Sequence, residues 1–165
     1  KQILQDTAAQ IIKFAKQHDV HAIVFEFLGK IRVRKGTYGA KKLRFKLHHW
    51  TKIGIQNKVE EMAHYEGMRI SRINPRNTSK LAYDGSGEVQ RSKRGDLATF
   101  QNGKQYHADL SASYNIGARY FIREIQKTMS EKAWSKLAAK VPSVAIRTKQ
   151  TLASFITLRT VYSFS

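Results

Sequence analysis

The chain has 165 residues, 41% of them hydrophobic, and its 30 Lys and Arg against 12 Asp and Glu give a formal net charge of +18. This size and composition fit one folded domain and exclude a disordered polypeptide, while the lack of cysteine excludes disulfides and thiolate zinc sites. The charge favours nucleic acid over a membrane surface as the partner, because no apolar run reaches the roughly 18 residues that span a bilayer.

The first predicted elements are a helix and a buried strand. Apolar residues recur about once per turn over residues 1–17, which predicts an amphipathic helix. The run from Val20 to Leu28 is almost continuously apolar, which predicts a central strand buried on both faces. Glu26 lies within this run, and an acid there is costly unless it is paired, protonated or bound to a metal. A helix followed by such a strand indicates an α/β fold.

A basic loop is predicted next, from Gly29 to Lys42. Six positive residues favour a phosphate-binding flap over a plain solvated loop: Lys30, Arg32, Arg34, Lys35, Lys41 and Lys42. A long helix is predicted from Leu43 to Glu66, ended by Gly67 as its C-terminal cap. Its apolar side is predicted at Leu43, Leu47, Trp50, Ile53, Gly54, Val59, Met62 and Tyr65. At this spacing a tryptophan favours core packing over stacking on a base.

A strand and a turn-rich segment follow the long helix. Alternation over residues 68–73 predicts a strand, which Asn74-Pro75 stops. Turn residues dominate from Leu81 to Ala108, and Asn102-Gly103 predicts a hairpin between residues 99–100 and 105–106. The run Asp84-Gly-Ser-Gly87 lacks the remaining ligands of a calcium loop and is interpreted as a turn.

An amphipathic helix is predicted to begin at Asp109. Its charged positions include Arg119 and Arg123, and its apolar positions are Leu110, Tyr114, Ile116, Gly117, Phe121 and Ile125. Asp109 has two interpretations, as the N-cap of this helix or as a metal ligand acting with Glu26. Cleavage of a phosphodiester by two metals needs carboxylates that hold two Mg²⁺ ions about 4 Å apart. Composition alone supports a nuclease and a binding module equally.

Two more helices are predicted near the end of the chain. The first covers Glu131 to Lys140, with Trp134, Leu137 and Ala138 facing inward. Pro142 breaks this pattern, and one further helix is predicted from Ser143 to about Tyr162.

Three motifs in this order resemble sequence blocks of the TnpB nucleases of bacterial transposons and of the type V CRISPR effectors: Ile23-Val-Phe-Glu26, Ile73-Asn-Pro-Arg-Asn-Thr-Ser-Lys80 and Asp109-Leu-Ser-Ala-Ser-Tyr-Asn-Ile116. The resemblance covers most of residues 1–125. It implies an RNase H-like (RuvC-like) fold that cuts DNA selected by a guide RNA. It also implies that Glu26 and Asp109 are the second and third catalytic acids and bind Mg²⁺, and that the long helix after Glu26 gates access to the site.

The chain departs from that family in two respects. The first catalytic acid of the family lies upstream of the opening helix, so we expect this chain alone to lack cleavage activity. The family's zinc ribbon would place cysteine pairs just after Lys80 and near Asn102 and Gln105, where this sequence has none, so no zinc is expected. A thiol-free insert resembles the type V-K effectors of transposon-associated systems, which bind target DNA without cutting it. Whether the intact protein is an enzyme therefore stays open, with a plain nucleic-acid-binding module as a third alternative.

The predicted fold class is α/β, an RNase H-like fragment with a partial β-sheet flanked by helices. Its parts are a RuvC-like core over residues 1–80, a degenerate ribbon insert over 81–108, a closing RuvC-like helix over 109–128 and a helical basic extension over 129–165. The implied partners are guide RNA and target DNA, with transposition proteins under the type V-K alternative and no membrane, in the bacterial cytoplasm. The residues expected to contact nucleic acid are Lys30, Arg32, Arg34, Lys35, Lys41, Lys42, Arg76, Lys80, Arg119 and Arg123.

Overall fold

The structure is a computed structural model that describes residues 2–29 and 38–163, with a mixed α/β architecture. It divides into two compact units, Lys1–Arg72 and Ile73–Ser165. The elements in chain order are α1 (Gln2–Gln17), β1 (Ala22–Glu26), α2 (Gly39–Tyr65), β2 (Arg69–Ile73), β3 (Gln90–Arg91), β4 (Leu97–Thr99), β5 (Gln105–His107), α3 (Ala108–Lys127), α4 (Glu131–Lys140), α5 (Pro142–Ala145), a 3₁₀ turn (Arg147–Lys149) and α6 (Leu152–Ser163).

In the first unit, α1 packs against the second half of α2. The core is Ala8, Ile12, Ala15, Val59, Ala63 and Met68. Gly67 ends α2 as predicted, since it adopts a φ of +69° that favours glycine, and the amide of Met68 then donates to the Ala63 carbonyl at 2.9 Å. The predicted helix over residues 1–17 is confirmed as α1.

The predicted central strand is wrong in length and in burial. β1 has five residues, all half-buried, and within the described residues it pairs with β2 alone. A two-stranded sheet packed on a helical core covers only one face of each strand. The apolar run extends beyond the strand because Val20 packs on the same core from outside it.

The predicted loop and apolar side of the long helix also need correction. Because α2 begins at Gly39, Lys41 and Lys42 lie in its first turn and not in a loop. The predicted apolar side is largely exposed at Leu43, Leu47, Trp50 and Tyr65, with Trp50 65% exposed. The buried residues of α2 are Gln56, Val59 and Ala63, all in its second half, where α1 covers it.

In the second unit, α3 to α6 surround one apolar cluster: Ile122, Leu137, Ala138, Val141, Val144 and Leu158. The predicted helix over Glu131–Lys140 is confirmed as α4. The single helix predicted from Ser143 is wrong, because α6 has its own start. There Ser154 N donates to Thr151 Oγ1 at 3.3 Å and Thr151 N donates to Ser154 Oγ at 3.2 Å, a reciprocal cap.

The predicted turn-rich segment forms an antiparallel three-stranded sheet in the order β3-β4-β5. The predicted Asn102-Gly103 hairpin is confirmed, with Thr99 paired to Gln105. A second small core holds this segment: Ala82, Ala98, Phe100 and Ala108, with Tyr83, Val89 and Tyr106 packed around it. Within residues 2–29 and 38–163, no helix combines the length and apolarity needed to cross a bilayer.

Candidate nucleic-acid interface

Glu26 is the last residue of β1 in the first unit, and it is half-buried. The buried Gln56 side chain on α2 donates from Nε2 to the Glu26 carbonyl at 3.0 Å. This bond fixes the end of the strand to the long helix. The strand therefore carries the Glu26 carboxyl group at a defined place within its unit.

Asp109 is the second residue of α3 in the second unit, and its side chain is exposed. The N-cap position belongs to His107, so the interpretation of Asp109 as the cap is wrong. An acid in the first turn is still favoured by the positive end of the helix dipole. In the described ranges the Asp109 carboxylate has no hydrogen-bond or ion-pair partner, and no group of three or more His, Cys, Asp or Glu there could hold a metal ion.

The prediction that Arg119 contacts a phosphate is contradicted by its burial, because its side chain is only 3% exposed. Its Nη1 donates to the carbonyls of Asn74 and Arg76, both at 2.8 Å. Its Nη2 donates to the Thr148 carbonyl at 3.1 Å, and its Nε to the Gln150 carbonyl at 3.3 Å. A guanidinium offers five donors in a fixed fork, which suits a site where several carbonyls converge.

Asn115 lies one turn earlier on the same helix and is fully buried. Its Nδ2 donates to the carbonyls of Thr78 at 3.0 Å and Leu81 at 2.9 Å, while its Oδ1 accepts from Leu152 N at 3.2 Å. With the buried Ser111 these side chains form what we call the polar row: Ser111, Asn115 and Arg119. The predicted apolar positions Leu110, Tyr114 and Phe121 are exposed instead, at 44%, 38% and 52%.

Within the polar row, Asn115 and Arg119 anchor residues 74–80, which we call the 74–80 loop. Inside the loop, Asn74 Oδ1 accepts from Arg76 N at 3.0 Å and the buried Thr78 hydroxyl donates to the Pro75 carbonyl at 2.8 Å. Arg76 and Lys80 project from this fixed backbone and are exposed, without an ion-pair partner in the described part of the chain. Their exposure fits the predicted contact with phosphates.

The remaining predicted contacts divide into three groups. Lys41 and Lys42 are exposed at the start of α2. Arg123 is half-buried and forms an ion pair with Glu124, with Nη2 3.2 Å from Oε1. Its guanidinium lies over the Tyr120 ring. A hydrogen bond from Lys127, together with that from Arg123, outweighs desolvation and holds the pKa of Glu124 below its ordinary value. The others lie outside the described residues: Lys30, Arg32, Arg34 and Lys35.

Part of this chain is similar in sequence to a curated bacterial protein. A TnpB-like protein from Aquifex aeolicus (strain VF5) is 34% identical over 107 residues, which is 62% of this chain and 34% of that protein. This similarity supports the resemblance to the TnpB/type V effector superfamily. The chain spans about a third of the length of this TnpB-like relative.

The similarity to solved structures is weaker, and no family model matches. Among solved structures, a chain of the cryo-EM Cas12f1–sgRNA–target DNA complex matches with a TM-score of 0.48 and 20% identity, over 70% of this chain and 32% of that one.

Polar and aromatic contacts close the turn-rich segment from Leu81 to Ala108, where the resemblance implies a zinc ribbon. Asp84 accepts from Asn102 Nδ2 at 3.0 Å and from the Ser86 amide and hydroxyl. Desolvation raises the pKa of Asp84, but the hydrogen bonds from Ser86 and Asn102 and the charge of Lys104 outweigh it and place the pKa below its ordinary value. The Tyr83 ring lies edge-on to Phe100, with centroids 5.4 Å apart.

Sequence reasoning missed two groups of residues in the second unit. Arg147 and Lys149 are exposed on the 3₁₀ turn, but a continuous helix was predicted there. The reciprocal Thr151-Ser154 cap was the available signal for a new helix start. Asn115 was missed as a buried anchor because its partners are main-chain carbonyls, which no residue pattern marks.

Proposed function

We propose that this chain is the RuvC-like, RNase H-type portion of an RNA-guided DNA-targeting protein that hydrolyses a DNA phosphodiester when intact. The observation that carries the proposal is the 34% identity to a TnpB-like protein over 107 residues. The placement of Glu26 at the end of a strand and Asp109 at the start of a helix supports it, as does the net charge of +18.

The two acids have suitable chemistry for magnesium. Carboxylate oxygens are ligands that Mg²⁺ prefers, and the Asp109 oxygens have no competing partner in the described ranges. Glu26 and Asp109 would hold the ions, which when bound supply charge stabilisation to the attacking and leaving oxygens of an in-line displacement. Two carboxylates are few for two ions, so the proposal includes a further ligand from elsewhere in the protein.

The basic residues would bind the nucleic-acid backbone. Arg76 and Lys80 are exposed on an anchored loop, and Lys41 and Lys42 are exposed on α2. Such contacts add salt-dependent affinity without reading sequence, and sequence choice would come from pairing with the guide RNA. The protein would then read the shape of the heteroduplex.

A second candidate is a nuclease-inactive, RNA-guided DNA-binding effector that recruits transposition proteins. The observation that favours it is the thiol-free insert, which closes through Asp84, Asn102 and the ring of Tyr83. This candidate shares the guide RNA and target DNA of the first and differs in the absence of cleavage.

The deciding experiment uses the full-length protein with its guide RNA and a guide-matched DNA duplex in Mg²⁺. We expect cleavage by the wild type, lost in Glu26→Gln and in Asp109→Asn. The matched control is Glu131→Gln, another acid in the first turn of a helix of the second unit, which should cleave normally. Guide-dependent binding without cleavage would instead support the second candidate, and binding without guide dependence would contradict both.

A further inference from the structure

One buried side chain joins two surface segments that lie about 70 residues apart in sequence. The Arg119 guanidinium bonds the Arg76 carbonyl at 2.8 Å and the Thr148 carbonyl at 3.1 Å. Asn115 repeats the connection, since it donates to the Thr78 carbonyl and accepts from the amide of Leu152. The backbones of the 74–80 loop and of residues 147–152 are therefore neighbours.

Both joined segments carry exposed cations. Arg76 and Lys80 project from the 74–80 loop, and Arg147 and Lys149 from the 3₁₀ turn. In residues 2–29 and 38–163 none of the four has an ion-pair partner. Two acids line the same cavity as Lys149. They are Asp84, whose carboxylate accepts hydrogen bonds from Ser86 and Asn102, and the exposed Glu88.

We infer that Arg76, Lys80, Arg147 and Lys149 form one composite surface that binds the phosphate backbone of nucleic acid, with Arg119 as its positioning residue. The inference rests on the proposed function and extends it to a second segment of the chain. Cations on a backbone that is already fixed lose less conformational freedom on binding than cations on a free loop. Each phosphate that such a side chain neutralises releases counterions, so the affinity depends on salt.

The test measures binding of the full-length protein to an RNA–DNA heteroduplex of about 20 base pairs across a series of salt concentrations. The double variant Arg147→Gln/Lys149→Gln should bind about tenfold more weakly and lower the slope of log affinity against log salt by about two. The control is Lys132→Gln/Lys140→Gln, which removes the same charge from exposed positions of α4 in the same unit and should change the affinity less than about twofold.

Three outcomes of this test are distinct. A selective loss in the Arg147 and Lys149 variant supports the composite surface. Equal losses in that variant and in the control overturn it, while leaving the proposed function intact. A wild-type protein that does not bind the heteroduplex overturns the inference and the proposed function together.

A second measurement separates positioning by Arg119 from direct phosphate contact. Arg119→Gln should increase amide hydrogen exchange in residues 74–81 and 147–152 without nucleic acid, whereas the Arg147 and Lys149 variant should not. Arg119→Lys keeps the charge but loses the planar fork, so it should not restore binding. Full binding by Arg119→Lys, or unchanged exchange with a salt slope lower by about one in Arg119→Gln, would make Arg119 a direct contact and overturn its assigned role.

Discussion

The two longest described helices differ in how many residues they bury and in whether a charged residue is among them. α2 has 27 residues and buries three, all in its second half, while Leu43, Leu47 and Trp50 stay exposed. α3 has 20 residues and buries seven, among them Asn115 and a full guanidinium. Apolar character alone therefore does not determine which residues of these helices are buried.

What determines burial is the partner that each face meets. An unpaired guanidinium would cost several kcal/mol to bury, but Arg119 meets main-chain carbonyls of irregular segments that themselves need donors. An exposed leucine carries no comparable penalty, so the first half of α2 can remain uncovered. The comparison predicts that replacing a buried polar residue of α3 lowers the free energy of unfolding more than truncating an exposed apolar residue in the first half of α2.

The largest expected effect comes from Arg119→Gln. We expect the free energy of unfolding to fall by about 3 kcal/mol, because several buried carbonyls lose their donors. Denaturant titration measures the loss. Arg123→Gln, one turn later and paired with Glu124 near the surface, should lose less than about 1 kcal/mol. Similar losses in the two variants would remove the distinction between the buried and the surface guanidinium.

A pair of truncations in α2 tests the other half of the comparison. Val59→Ala, in the core against α1, should lower the free energy of unfolding by about 2 kcal/mol. Leu47→Ala should change it by less than about 0.5 kcal/mol, because that side chain is 55% exposed. The same titration measures both, and an equal cost at Leu47 would show that the first half of α2 is covered in the native protein.

The smallest expected effect is at the Arg72–Glu60 ion pair near the surface. Its contribution to stability should depend on pH, whereas that of the polar row should not. Arg72 bonds Glu60 at 2.7 Å, and this hydrogen bond outweighs desolvation and lowers the pKa of Glu60. Because the pKa of Glu60 is lower in the folded state than its unfolded value of about 4.3, its ionised carboxylate stabilises the folded protein above that pH. This stabilisation is lost as the pH falls through the folded pKa. Glu60→Gln should therefore cost about 0.5 kcal/mol at pH 7 and almost nothing well below the folded pKa.

The control for this pH dependence is Arg119→Gln. Its guanidinium donates to the carbonyls of Asn74, Arg76, Thr148 and Gln150, which do not titrate, so its cost should be similar at both pH values. A constant cost for Glu60→Gln across the acid range would contradict the assignment of its stabilisation to the ion pair.

Local patterns predicted the elements that depend on local signals. The Gly67 helix end, the Asn102-Gly103 hairpin and α4 follow from glycine conformation, turn chemistry and helical periodicity. The burial of Arg119 could not be predicted, because its partners come from segments more than 25 residues away and are main-chain atoms. The break near Gln150 was missed for a different reason, since the Thr151-Ser154 cap is a local signal of a new helix start that lies within an apparently continuous pattern.

The candidate site was predicted in part. Arg76 and Lys80 are exposed as expected, whereas Arg119 is not, because a charged residue on an amphipathic helix was assigned to the solvent face. The roles of Glu26 and Asp109 as metal ligands stay predictions. They depend on an acid pair separated by more than 80 residues in sequence, which local periodicity does not bring together.

The closure of the insert by Asp84, Asn102 and the ring of Tyr83 changes how this part of the molecule responds to its chemical surroundings. A ribbon held by thiolate and zinc unfolds when a chelator removes the metal or an oxidant consumes the sulfur. The contacts described for the insert are made by an amide, a carboxylate and aromatic rings, and the chain has no cysteine. Oxidation of thiols therefore cannot disturb the folding of this segment.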